Sequence, residues 1–188
     1  MTEKLKVMAI CGSLRKGSLN QMVANTLQEL APADMTLVQA PSIADIPLYN
    51  ADLQNDDGFP VTVDALAAAI EEADAIIFVS PEYNYSVPGV LKNAIDWVSR
   101  LPNHPFKQKP IALQSAAAGM LGGARMQYHL RQILVFLEAD VFNKPEVFIT
   151  FGKTKVDEAS GRLTDEAARE VISAQLAAFG HYIQRVQS

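Results

Sequence analysis

The feature of this sequence that most restricts its possible folds is a regular alternation of apolar runs with amphipathic stretches. The apolar runs predict strands at residues 6–11, 35–40, 75–79, 110–115 and 146–151. The stretches between and after them carry apolar residues at spacings of three and four, which predicts helices at residues 18–30, 63–73, 88–100, 124–137 and 164–186. Strands that are apolar almost throughout are typical of a parallel sheet covered on both faces.

This order of elements predicts an α/β fold with a doubly wound parallel sheet. Strands that alternate with helices need crossover connections, which are right-handed and place helices on both faces. We expect a five-stranded sheet in the order 2-1-3-4-5, in which the winding direction reverses beside the first strand. Because such sheets bind ligands beyond the carboxyl ends of the strands at this point, the loops after the first and third strands form the predicted site.

The composition places limits on domain number, location and partners. The 188 residues suffice for one domain with a buried core, and no linker-like segment divides residues 1–188. The longest unbroken apolar runs, residues 65–70 and 133–137, are too short to span a bilayer, so no membrane partner is expected. Residues 1–7 are charged with no apolar segment behind them, and the single cysteine cannot form an internal disulfide, which together predict a cytoplasmic protein. The net charge of -5 argues against nucleic acid as a partner.

The loop at residues 12–20 leaves the first strand, enters the first helix and is rich in groups that bind anions. Its hydrogen-bond donors are the hydroxyls of Ser13 and Ser18, the amide of Asn20 and the N–H groups at the helix start, and Arg15 adds a positive charge. An ordinary turn in which Ser18 caps the helix would look the same in isolation. The position at the carboxyl end of the first strand favours a phosphate site.

The spacing of residues in this loop argues against several common phosphate ligands. A dinucleotide fingerprint needs a third glycine and an acidic residue after the second strand, and this chain has neither there. Gly12 and Gly17 have the spacing of a nucleotide-hydrolase loop, but Ser18 and Leu19 replace its lysine and hydroxyl residue. Cys11 precedes the loop at an apolar strand position, so we interpret it as a core residue and not as the nucleophile of a phosphatase.

The loop at residues 80–89 follows the third strand and combines aromatic with polar residues. Pro81 and Pro88 restrict its backbone. Tyr83 and Tyr85, beside backbone hydrogen-bonding groups, suit a planar heterocycle, which offers faces for stacking and edges for hydrogen bonds. The same two tyrosines could equally be half-buried packing residues.

Two segments together carry a resemblance to a known family. GSLRKGSLN at residues 12–20 and PEYNYSVPGVLKNAIDW at residues 81–97 resemble the two motifs of the NADPH-dependent FMN reductase family. Within that family they are most similar to those of bacterial soluble quinone reductases, also called chromate reductases. The order and spacing of the predicted elements are similar to the family along essentially the whole chain. The resemblance implies a flavodoxin-like fold with FMN bound non-covalently.

The resemblance also implies which residues hold the FMN. Those similar to the family's phosphate-binding segment are Ser13, Leu14, Arg15, Ser18, Leu19 and Asn20. Those similar to the segment that contacts the flavin ring are Pro81, Glu82, Tyr83, Asn84 and Tyr85. A third contact follows the fourth strand, at Ser115 and Ala117. Hydroxyl residues are frequent there in similar proteins, and this chain has alanines at 116–118, so contacts from those three residues must come from the backbone.

The activity that the resemblance implies is transfer of reducing equivalents from NADH or NADPH, through FMN, to quinones and other small oxidised acceptors such as chromate, in a ping-pong sequence. Because the cofactor carries the chemistry, no catalytic side chain is expected. The three histidines share no ligand spacing, so we expect surface residues and no metal site. Two alternatives remain open: a flavodoxin-type carrier that exchanges electrons with protein partners, and a nucleotide-binding regulatory protein without redox activity.

The similar family further implies a homo-oligomer, a homodimer or a homotetramer, that uses the helices after the third and fourth strands. Arg125 and Tyr128 are predicted to reach the partner subunit's Glu146 or Tyr85. Apolar anchors are expected on or near the first of these helices, namely Val90, Leu91, Ile95, Trp97 and Val98. The alternative is that the polar residues are solvated and that the apolar ones belong to the core.

Overall fold

The computed structural model describes residues 4–187, so the first three residues of the charged start, and Ser188, lie outside the described residues. The main sheet follows the order β2-β1-β3-β4-β5, and every pair of neighbours in it is parallel. The predicted strand order is therefore confirmed. The strands are β1 (Leu5–Cys11), β2 (Met35–Gln39), β3 (Ala75–Val79), β4 (Pro110–Ala116), β5 (Asp140–Val141) and β6 (Val147–Ile149), of which β5 and β6 both pair with β4.

Helices cover both faces of this sheet. On one face lie α1 (Leu19–Leu30) and α6 (Glu166–Gln187), and on the other lie α3 (Val61–Glu72), α4 (Gly89–Val98) and α5 (Ala124–Phe136). A short helix, α2 (Ala51–Asp57), precedes α3, and an antiparallel hairpin of β7 (Val156–Asp157) and β8 (Arg162–Leu163) precedes α6. No helix within residues 4–187 is long and apolar enough to cross a membrane.

Alternate residues of the central strands β1, β3 and β4 belong to two separate cores. In β1, Met8 and Ile10 pack with the helices α3 to α5, whereas Val7 and Ala9 pack with α1 and α6. The central strand β3 is buried along its whole length and alternates in the same way. Each fully buried large apolar side chain contributes roughly 1.5–3 kcal/mol relative to an exposed one. These two cores therefore hold the carboxyl ends of β1, β3 and β4 in fixed relative positions.

The structure differs from the sequence prediction in three places. The strand predicted at residues 146–151 is preceded by a second short strand, and Pro145 between the two has no N–H to give to the ladder. The sequence does not predict α2, because this helix buries no residue and so has no apolar stripe. It does not predict the β7–β8 hairpin either, because two-residue strands are too short to show a period.

The apolar residues of α4 belong to the chain's own core. Leu91, Ile95, Trp97 and Val98 are all buried, and Trp97 Nε1 also donates a hydrogen bond to the carbonyl of Pro47 at 2.8 Å. The prediction that these four residues anchor a subunit contact is wrong, because the sheet and its neighbouring helices already cover the face that carries them. Val90 is half-buried against the same core.

Candidate active site

Four loops meet at the carboxyl edge of the sheet and enclose a cleft of about 340 Å³. They follow β1, β3, β4 and β6, so the cleft lies at the predicted reversal of winding. Its volume is within the range of roughly 300–1,000 Å³ that is usual for small-molecule sites. The predicted residues that line it are Ser13, Arg15, Ser18, Leu19 and Asn20 from the first loop and Pro81, Glu82 and Tyr83 from the second.

The start of α1 supplies an anion-binding end to this cleft. Ser18 is the N-cap residue, and its Oγ accepts the N–H of Gln21 at 3.4 Å. The N–H groups of Leu19 and Asn20 precede the first hydrogen bond within the helix, so α1 itself offers them no acceptor. Together with the positive end of the helix dipole, these N–H groups favour a phosphate at this point.

Ser13 and Arg15 shape the first loop around the start of α1. Ser13 Oγ accepts the N–H of Arg15 at 3.3 Å and lies 3.3 Å from the Tyr83 hydroxyl, so it joins the first loop to the second. The Arg15 guanidinium donates to the carbonyl of Gly17 at 2.5 Å, and Gly17 has a φ of 70° that favours glycine. The guanidinium is exposed, and its remaining N–H groups can bind a phosphate.

Asn20 has a structural role that the sequence does not reveal. Its side-chain amide donates to the carbonyl of Ala116 and accepts the N–H of Ala116, each at 2.9 Å. Asn20 is buried, so this pair of bonds fixes the start of α1 to the end of β4. The side-chain amide that we expected to face a phosphate is therefore already occupied, and Asn20 can contribute its backbone N–H instead.

The second loop forms a tight hairpin that exposes its aromatic side chains. Tyr83 and Ser86 exchange two backbone hydrogen bonds, and between them Asn84 and Tyr85 have φ values of 48° and 75°. Positive φ at both central residues is the signature of a type I′ turn, which is strained for a tyrosine. Tyr83 and Tyr85 are exposed and not half-buried. Only Tyr83 of these four residues lines the cleft.

Glu82 joins this hairpin to the start of α5. Its carboxylate accepts the backbone N–H groups of Arg125 and Met126, at 3.1 and 3.3 Å, and the side-chain Nε of Arg125 at 2.6 Å. The Arg125 guanidinium lies 3.6 Å from the centre of the Tyr85 ring, and its contacts with Tyr85 and Glu82 raise the pKa of Arg125. Glu82 thus caps α5 and holds the hairpin through Arg125, and it presents no unpaired carboxylate to a ligand.

The loop after β4 lines the cleft with Ala116, Ala117 and Ala118. Ser115 does not line it, because its side chain is buried and its Oγ accepts a hydrogen bond from Gln127 Nε2 at 2.8 Å. The hydroxyl of Ser115 therefore serves packing against α5 in this structure. The backbone of Ala117 donates to Ile149 and accepts from Gly152, at 3.0 and 2.8 Å, which fixes the loop to the segment after β6.

Leu14 and Cys11 lie on another side of the first loop, in a separate depression of about 260 Å³ beside the end of β2. Cys11 is half-buried, and not a core residue as expected, because it is the last residue of β1. Burial raises the pKa of its thiol, although hydrogen bonds near Ser13 and Ser18 act in the opposite direction. A protonated thiol is a poor nucleophile, and the absence of a catalytic role for Cys11 stays a prediction.

Two residues near the cleft are missed by the sequence argument. Lys153 lines the cleft from a short 3₁₀ turn, Gly152–Thr154, that follows β6. The rule that ligands bind beyond strand ends also applies to this turn and could have drawn attention to it. His129 is half-buried and its Nδ1 lies 3.0 Å from Ser86 Oγ in the hairpin, whereas His104 and His181 are exposed as expected.

Both pairs of residues predicted for a subunit contact also form within one chain. Arg125 stacks on Tyr85, and the Tyr128 hydroxyl donates to Glu146 Oε1 at 3.1 Å. This hydrogen bond and the negative charge of Glu146 raise the pKa of Tyr128. Tyr85 and Tyr128 remain exposed, so both can still contact another molecule.

A second groove of about 390 Å³ lies at the opposite edge of the sheet. Its lining comes from residues 99–100, 104–107 and 136–138. These segments lead into β4 and β5 and therefore lie at the amino ends of those strands. Doubly wound sheets bind their cofactors at the carboxyl edge. The first cleft is therefore the candidate functional site.

Comparison with known proteins shows the family of the chain. Residues 5–154 match the family model for NADPH-dependent FMN reductase. The chain belongs to this family. It is 57% identical over 187 residues to a quinone reductase of Escherichia coli (strain K12), and 48% identical over 187 residues to an NAD(P)H-dependent FMN reductase of Pseudomonas aeruginosa, with the whole of each chain covered. The solved structure of FerB, a flavoenzyme NAD(P)H:(acceptor) oxidoreductase of Paracoccus denitrificans, matches with a TM-score of 0.85 and 35% identity over 96% of this chain and 98% of that one.

As a member of this family the protein uses FMN, with NAD(P)H as electron donor, and the cleft suits that cofactor. The start of α1, Ser13 and Arg15 provide donors for a phosphate at one end. The ring of Tyr83 offers a flat apolar surface in the hairpin. Glu82 is the one acidic residue of the described lining, and its pairing with Arg125 leaves no free carboxylate to repel a phosphate.

Proposed function

We propose that this protein is an FMN-dependent NAD(P)H:quinone oxidoreductase. The observation that carries the proposal is that one cleft joins the anion-binding start of α1 to the aromatic hairpin after β3, in a chain that belongs to the FMN reductase family. The quinone reductase of Escherichia coli, 57% identical over the whole chain, supports a quinone as the acceptor. FMN supplies the chemistry when bound, by accepting reducing equivalents from the nicotinamide and passing them to the quinone.

The residues of the cleft bind and orient the cofactor. We propose that the backbone N–H groups of Leu19 and Asn20, with Ser13 and Arg15, hold the phosphate, and that Pro81 and Tyr83 contact the ring. Glu82 positions this hairpin through Arg125 at the start of α5. Four further contacts remain predictions. Ala117 already lines the cleft. The other three residues do not line it and would have to move toward it to contact the cofactor, namely Leu14, Asn84 and Tyr85.

The nicotinamide and the quinone are both flat and must reach the same flavin ring, so we propose that they bind one after the other. Initial rates measured at several concentrations of both substrates should then give parallel lines in double-reciprocal plots. Intersecting lines would show that NAD(P)H and the quinone bind at the same time, and would contradict a shared binding position at the flavin ring. We propose chromate as a slower acceptor in the same position, to be measured in the same assay.

Purified protein tests the proposal directly. It should absorb in the flavin bands, and NADPH or NADH should bleach that absorbance and then be consumed when a soluble quinone is added. A flavodoxin-type carrier would bind flavin without oxidising NAD(P)H by itself. A nucleotide-binding regulatory protein would show no flavin absorbance, so either result would refute the proposed reductase.

We also propose that the protein forms a homodimer or homotetramer through the surface beside the hairpin. This surface is formed by the hairpin, by the loop before α5 and by α5, and Arg125 of α5 contacts the hairpin at Glu82. It exposes four large apolar side chains, namely Tyr85, Met120, Leu121 and Tyr128. Clustered exposed apolar groups are typical of protein contact surfaces, whereas scattered ones need no explanation.

A cytoplasmic location remains a prediction from the sequence.

A further inference from the structure

Among the described residues that line the cleft, Lys153 is the one cation outside the two sequence motifs, and hydrogen bonds hold the turn that carries it. The N–H of Phe151 donates to the carbonyl of Gly119 at 3.2 Å, and the N–H of Gly152 donates to the carbonyl of Ala117 at 2.8 Å. The hydroxyl of Thr154 donates back to the carbonyl of Phe151 at 2.9 Å. The residues on either side of Lys153 are thus fixed to the cleft wall or to each other.

The turn also lies directly against the start of α1. A Cβ atom at Gly152 would be 3.1 Å from Leu19 Cδ1 and 3.2 Å from the carbonyl oxygen of Ala117, so glycine permits a closer approach than other residues. Leu19 is the first residue of α1, and its N–H belongs to the anion-binding end of the cleft. Lys153 is therefore next to the anion-binding end of the cleft.

Lys153 has no acidic partner within the described part of the chain. The neighbouring Lys155 is paired with Asp165 at 3.7 Å, and ion pairs also form at Lys6, Lys92, Lys107 and Lys144. Arg15, the other cation of the lining, donates to the carbonyl of its own loop at Gly17. The ammonium group of Lys153 is exposed and available to a ligand.

We propose that Lys153 binds the phosphate of FMN as a second cation beside Arg15. The inference rests on the proposed function, because it requires FMN in this cleft. A phosphate monoester carries about 1.5 to 2 negative charges at neutral pH, so a single arginine leaves part of that charge uncompensated. The compact charge of a lysine ammonium can take a position between phosphate oxygens without the planar geometry that a guanidinium needs.

The test compares the affinity of the apoprotein for FMN and for riboflavin, which has the same ring and ribityl chain without the phosphate. Quenching of flavin fluorescence gives both dissociation constants. Lys153→Gln should bind FMN roughly fivefold to twentyfold more weakly and riboflavin with unchanged affinity. Lys153→Arg should keep most of the affinity for FMN. Lys4→Gln, which removes the same charge before the amino end of β1, is the matched control and should bind FMN like the wild type.

Each other outcome overturns the inference in a recognisable way. Equal weakening for FMN and riboflavin would show that Lys153 acts on the ring or on the shape of the cleft. An unchanged FMN affinity with a raised KM for NADPH, and not for NADH, would show that Lys153 instead contacts the extra phosphate that distinguishes NADPH from NADH. Failure of the wild-type apoprotein to bind FMN would refute the proposed function itself. Thermal unfolding of the apoproteins shows that each variant is folded before the affinities are compared.

Discussion

At the scale of single residues, the cleft is held together by side chains that the family resemblance assigns to contacts with the ligand. Asn20, Glu82 and Ser115 each make a hydrogen bond to a residue of another element. The partners of Asn20 and Glu82 are far away along the chain, so no local spacing indicates them. The sequence therefore predicts three of the four loops that line the cleft, and it leaves open which polar groups remain free for a ligand.

Asn20 offers a direct test of this distinction. In Asn20→Ala the buried N–H and carbonyl of Ala116 lose their partners, and an unsatisfied buried group costs about 1–3 kcal/mol. We expect the free energy of unfolding of the apoprotein to fall by about 2–4 kcal/mol in urea titrations. Thr62→Ala, which removes a hydroxyl without a partner, is a suitable control and should change the stability little. Weaker FMN binding by Asn20→Ala at unchanged stability would instead assign the side-chain amide to the phosphate.

Arg15 is expected to act on the cofactor and not on the fold. Its guanidinium is exposed and bonds only to its own loop, so Arg15→Ala should leave the stability of the apoprotein nearly unchanged. A charge-assisted hydrogen bond contributes roughly 1.5–3 kcal/mol, which corresponds to about tenfold to a hundredfold weaker FMN binding. Titration of the apoprotein with FMN measures the change. A variant that purifies fully flavinated, with unchanged affinity, would place the phosphate elsewhere.

At the scale of elements, the predictions that hold are those that rest on long apolar periods. The strands β1 to β4 and the helices α1, α3, α4, α5 and α6 each bury an apolar set and follow the predicted order. The short elements α2, β5, β7 and β8 have no such period. Their positions depend on caps and on distant partners, such as Asn50 at the start of α2 and the β4 edge beside β5.

The start of α5 depends on a glycine that the motifs do not include. Gly123 has a φ of 89°, and a Cβ there would lie 2.7 Å from the Ser115 Cβ, so no other residue fits without displacement of β4 or α5. Gly123→Ala should lower the free energy of unfolding by about 2 kcal/mol or more, through overpacking and a strained φ. Gly119→Ala is the matched control, because a Cβ at Gly119 meets no atom within 4 Å. Equal stability of the two variants in urea titrations would contradict this account of the turn.

At the scale of the whole molecule, the open question is how copies of the chain assemble. The apolar residues of α4 are excluded as anchors, because they already serve the core. The surface that remains combines the hairpin, the loop before α5 and the exposed face of α5. Arg125 links the first and last of these, since it contacts both Glu82 and Tyr85. A contact at this surface would lie beside the mouth of the cleft and help to fix the strained hairpin.

We predict that the protein sediments as a dimer or tetramer at micromolar concentration, and that Arg125→Ala shifts it toward smaller species. Two effects act together in this variant: a partner subunit loses a guanidinium contact, and Tyr85 loses the group that covers its ring within the chain. Tyr128→Phe separates them, because it removes the hydroxyl bonded to Glu146 and leaves the hairpin intact. Val171→Ser, at an exposed apolar position of α6, should sediment like the wild type. A wild-type monomer at all concentrations tested would end the proposal, and an oligomer that neither Arg125→Ala nor Tyr128→Phe weakens would place the contact on another surface.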